Sequence, residues 1–93
     1  MSIEPALVSV VVRSMDRPTL DRALASIASQ DYPRLQVLVV AACGPSHREL
    51  PDRCGAYPLR LVRSDRRLQR ASAANAGIDA AAADGGWITL LDD

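Results

Sequence analysis

The chain has no lysine, no phenylalanine, two cysteines, one histidine and no excess charge of either sign. Each shortage removes a class of protein. Without lysine nothing can reach a phosphate from a P-loop, and neither G-x-x-x-x-G-K-[ST] nor G-x-G-x-x-G occurs. A receiver-type phosphoacceptor domain also needs a later lysine, so acids clustered at strand ends do not make one here. A formal net charge of zero argues against a nucleic-acid partner, because binders of the phosphate backbone carry a basic excess. Cys43 and Cys54 are too few for a disulfide framework. With His47 between them they offer three ligands at a spacing that matches no zinc pattern, so His47 reads as a loop histidine. The run in MSIEPALVSVVV is too short to span a bilayer and follows Glu4 and Pro5 rather than basic residues. Neither a membrane span nor a signal peptide is expected, and the expected location is cytoplasmic.

What is present is a globular composition, 48% apolar, in 93 residues, enough for one small domain. LVSVVV (7–12) and LQVLVVAA (35–42) are mostly apolar and rich in valine, as strands buried on both faces are. Between them TLDRALASIASQ (19–30) places Leu20, Ala23, Leu24, Ile27 and Ala28 on one helical stripe, with Pro18 in the first turn, Asp16 or Arg17 near the cap, and Pro33 beyond the end. The connection CGPSHRELPDRCGAYP holds one expected helical turn at 46–50. LRLVRS (59–64) reads as a third strand, QRASAANAGIDAAAA (69–83) as a helix, and WITLL (87–91) as a fourth strand after a glycine turn. Gly77 within that helix marks close packing or a nearby ligand. The order is β-α-β-β-α-β with a short turn of helix in the long connection. It predicts a mostly parallel four-stranded sheet covered by helices, in three Rossmann-like layers.

In such sheets ligands bind beyond the carboxyl ends of the strands. The residues expected there are Ser14, Asp16 and Arg17, then Asp65, Arg66 and Arg67, then Asp92 and Asp93. Carboxylates that hold a divalent cation, beside arginines, suit a metal-bridged diphosphate. Each group has a plainer reading: Asp16 as a helix cap, RSDRRLQR as a solvated loop, and the final acids as a strand end.

The segment VSVVVRSMDRPTLDRALASIASQDYPRLQVLVV resembles the opening of family 2 glycosyltransferases of the GT-A fold, including the Q-x-Y-P turn at Gln30, Asp31, Tyr32 and Pro33. SAANAGIDAAAADGGWITLLDD is similar to the family's next block: Ala73, Asn75 and Gly77 fit the A-x-N-x-G helix start, and Asp92 fits the first acid of the D-x-D region. The resemblance implies transfer of a sugar from a nucleotide-sugar donor to an acceptor, with Mn2+ or Mg2+ on the acids. It implies donor contacts at Arg13, Ser14, Asp16, Arg17, Asn75 and Asp92 and metal ligation by Asp92 and Asp93. Met15, Ala41, Ala42 and Ala74 depart from the family's nucleotide contacts, with Arg13 or Arg17 in a position to compensate. On this reading residues 1–93 are one domain, the N-terminal donor-binding portion of a longer enzyme, ending inside the D-x-D region. The general base of inverting members lies later in the chain, so no catalytic residue is assigned and the chain alone is expected to be inactive. An exposed sheet edge would favour homo-oligomers. The reading from a different class is a non-catalytic α/β module that binds a partner protein.

Overall fold

The mostly apolar segments form the middle of the sheet. The computed structural model describes residues 5–93, so the acidic lead at Glu4 lies outside the described residues. Strand β1 (Val8–Ser14) is followed by helix α1 (Thr19–Ala28), strand β2 (Leu35–Ala41), strands β3 (Arg53–Cys54) and β4 (Tyr57–Val62), helix α2 (Arg70–Ala82) and strand β5 (Trp87–Asp92). They make one five-stranded sheet in the order β3-β4-β2-β1-β5. Every pairing is parallel except β3 with β4.

Alternation along the central strands divides the core in two. Val10, Val12, Val37, Val39 and Leu59 meet Leu20 and Ile27 of α1 on one face. Val11, Leu38 and Val40 meet Ala73 and Ala81 of α2 on the other. A strand buried on both faces has no polar side, which is why apolar residues dominate β1 and β2. Helix α2 lies close to its face because it is built of alanine and glycine. A Cβ on Gly77 would stand 2.2 Å from Val11 Cγ1, so of the two roles open to Gly77 the close packing is the one seen.

Three details differ from the sequence expectation. The sheet has a fifth strand, since Arg53 and Cys54 pair antiparallel with Pro58 and Tyr57 across a turn at Gly55, whose φ is +60°. A strand of two residues is too short to show a period. There is also no helical turn at 46–50. The Arg48 amide donates to Asp16 Oδ2 at 3.0 Å, so it serves the loop after β1 rather than a local helix. Pro18 is the N-cap residue of α1 and no side chain caps it. Asp16 therefore has a different task from the expected cap. Both cysteines are free thiols, and among the described residues no helix is long and apolar enough to cross a membrane.

Candidate functional site

The chain runs from β1 through α1 to β2 on one side, and from β4 through α2 to β5 on the other side of β1. The switch in strand order thus falls between β1 and β5, where parallel α/β sheets open a crevice at the carboxyl ends. A cleft of about 700 Å³ lies there, lined by Arg13, Met15, Arg17, Ala42, Arg67, Leu68, Gln69, Arg70, Asp92 and Asp93. Four arginines face two carboxylates, so the cleft is cationic although the chain is neutral.

Each wall follows from local structure. Arg13 and Asp92 are register partners at the ends of β1 and β5. They form an ion pair at 2.5 Å, with Arg13 largely covered and Asp92 open to solvent. Gln69 and Arg70 bring the start of α2 to the cleft, and no side chain caps that helix. Its first-turn amides and the positive end of its dipole add to the arginines. Leu68 is held by its amide, which donates to the Ala42 carbonyl at 2.8 Å. With Met15 and Ala42 it supplies an apolar part of the lining.

Behind the cleft lies a second, buried set of polar contacts. Ser14 is fully buried. Its hydroxyl donates to Asp93 Oδ2 at 3.1 Å, accepts the Asp16 amide at 3.0 Å and is hydrogen-bonded to His47 Nε2 at 2.7 Å. Asp93 Oδ2 also accepts the amides of Met15 at 3.0 Å and Arg17 at 3.3 Å. His47 is 4% exposed, and its Nδ1 lies 2.9 Å from the Arg48 carbonyl. Asp16 has φ +60°, a conformation that aspartate tolerates better than most residues. Its carboxylate takes the Arg48 amide on Oδ2 and stands 3.2 Å from Arg48 Nε through Oδ1, an ion pair without hydrogen-bond alignment. Arg48 also reaches Asp21 at 2.9 Å.

Serine, histidine and aspartate together invite comparison with a nucleophilic triad, but the order of contacts is wrong. The aspartate touches the serine, and the serine is sealed from substrate. The arrangement orients a loop.

Of the residues singled out in the sequence, Arg13, Arg17, Arg67, Asp92 and Asp93 meet at the cleft. Ser14 and Asp16 lie behind it. Asn75 is an exposed residue of α2, and Asp65 and Arg66 are exposed in the loop before it. None of these three lines the cleft. The long reach of Arg70 and Gln69 into the cleft was hidden within a helix that reads as alanine-rich packing. His47 was hidden because its partner is 33 residues away.

No cluster of three or more histidine, cysteine or acidic residues suited to a metal occurs among the described residues. The carboxylates at the cleft are those of Asp92 and Asp93.

The family model for glycosyl transferase family 2 matches residues 9–93. The chain has no significant match among curated proteins or among solved structures.

Proposed function

The chain belongs to glycosyl transferase family 2, and from that membership we propose that the cleft between β1 and β5 takes the diphosphate of a nucleotide-sugar donor. The fold is the GT-A type of α/β half-domain. The observation that carries the proposal is the convergence of Arg13, Arg17, Arg67 and Arg70 with the uncapped start of α2 at the switch point of the sheet. Guanidinium groups match phosphate oxygens in geometry as well as charge. In the proposed arrangement Arg67 and Arg70 bind the phosphates, Arg13 orients Asp92, and the base lies toward Met15, Ala42 and Leu68.

Asp92 and Asp93 would hold Mn2+ or Mg2+ against the diphosphate, and the cation's Lewis acidity would favour departure of the nucleoside diphosphate. Asp93 can serve through Oδ1, while Oδ2 stays with the loop amides. In a full-length parent the sugar would pass to an acceptor hydroxyl. This reading assigns both cleft carboxylates to the cation, so neither is assigned as general base. Donor binding, rather than turnover, is therefore the expected property of these residues alone.

Thermal denaturation with UDP, GDP or dTDP, each with and without Mn2+, tests this. A ligand at about 100 times its Kd adds about 2.7 kcal/mol. In a domain of this size that raises Tm by roughly 10 °C or more. One nucleotide should do so, and more strongly with the metal. No response to any of the three would favour the partner-binding module.

A further inference from the structure

Two of the residues that hold the loop after β1, His47 and Arg48, do not line the cleft. Arg17 and Met15 reach the cleft from a loop with a left-handed residue, Asp16, at its centre. Such a conformation persists only where the surroundings enforce it. Asp93 enforces it from one side, through the amides of Met15 and Arg17. From the other side the work falls to His47 and Arg48. His47 Nε2 fixes the Ser14 hydroxyl, and the Arg48 amide and guanidinium fix the Asp16 carboxylate. The Arg48 carbonyl in turn faces His47 Nδ1, so both imidazole nitrogens are committed and the ring has a single orientation.

We propose that His47 is a positioning residue for the donor site, acting through Ser14 on Asp93 and on the Met15 and Arg17 backbone. The proposal rests on the reading of the cleft as the donor site. His47 itself does not line the cleft, so its removal changes where the loop sits without deleting a contact to donor. The Ser14 oxygen is the junction: across the end of β1 it lies 2.7 Å from His47 Nε2 on the β2 side and 3.1 Å from Asp93 Oδ2 at the end of β5. A histidine that merely filled space would need neither nitrogen placed.

Two isosteric substitutions separate those roles. His47→Gln keeps a polar group near the Nε2 position and so keeps the bond to Ser14. His47→Asn keeps only the group near Nδ1, facing the Arg48 carbonyl. Amide NMR spectra of the free, folded variants report the loop directly. His47→Asn and His47→Ala should move the Met15, Asp16 and Arg17 amides, whereas His47→Gln should leave them close to the parent. Titration of the same variants with UDP and Mn2+ should show about tenfold weaker binding for Asn and Ala and less than threefold change for Gln. If either substitution prevents folding, Ser14→Ala gives the same test from the other side of the bond: the His47 ring signals and the Arg17 amide must both move. Amides that stay in place in His47→Asn or Ser14→Ala overturn the proposal. So does an equal response of the Asn and Gln variants, or displaced amides with unchanged affinity. If the parent chain binds none of UDP, GDP and dTDP, the donor-site reading fails. The amide shifts of the free chain then still decide whether His47 positions the loop.

Discussion

Strands β1 and β5 lie side by side in parallel register, from Val8 with Trp87 to Arg13 with Asp92. Both are apolar in sequence, yet they sit in opposite surroundings. Val11 and Val12 of β1 are sealed between the two helices, whereas on β5 Trp87 is 71% and Leu90 51% exposed. Position in the sheet makes the difference. β1 has neighbours on both sides and a helix on each face, while β5 has one neighbour and little cover. The other outer strand sharpens the contrast. β3 is only two residues long, but Cys54 on it is buried, with its thiol donating to the Leu24 carbonyl of α1 at 3.1 Å. Apolarity shows that a strand can be buried, and the topology decides whether it is.

The largest expected effect comes from breaking that contrast with a charge. Val12→Asp places an unpaired carboxylate in a closed core and should cost more than about 4 kcal/mol in urea denaturation, or prevent folding. Leu90→Asp, on the neighbouring strand, should cost about 1 kcal/mol or less. Equal effects would mean that β5 is covered in solution.

That comparison also marks where the sequence was legible. The two central strands could be read from their apolar runs, α1 from its apolar stripe and α2 from its alanine content. The Rossmann-like order followed from their alternation. Asp92, Asp93, Arg13 and Arg17 could be placed at the rim because a strand's carboxyl end is known once the strand is. The rest of the site depends on contacts between distant residues. Nothing near His47 indicates Ser14, and nothing near Asp16 indicates Arg48. The missing turn at 46–50 belongs with these, because its backbone donor was claimed by another loop.

Close packing of α2 on β1 gives the next effect. Gly77→Ala raises helix propensity but drives a methyl into Val11. The clash should dominate, with a net loss of about 1–3 kcal/mol. A stabilised variant would show that α2 stands farther from the sheet. At the cleft, Arg67→Ala and Arg70→Ala should leave Tm nearly unchanged and weaken nucleotide diphosphate binding about tenfold each, as expected for loss of one charge-assisted bond. Calorimetric titration checks both.

The smallest effect belongs to the covered edge. Burial pushes the Cys54 thiol above its ordinary value of 9.0, against a smaller opposing influence of the Ala28 backbone. The folded state therefore disfavours the thiolate. The thiol's contribution is complete below pH 9.0 and is lost as pH rises above that value through the raised one. Urea midpoints measured on both sides of pH 9.0 should fall with a slope that Cys54→Ala lessens.

The central claim is that this sheet, neutral as a whole, gathers its arginines at the β1–β5 switch point to bind a diphosphate. Isothermal titration of the parent chain with UDP, GDP and dTDP in the presence of Mn2+ tests it most directly. The account predicts one-to-one binding of at least one of them, weakened by added salt and by Arg70→Ala. No heat of binding with any of the three, or binding indifferent to both salt and Arg70, would contradict it.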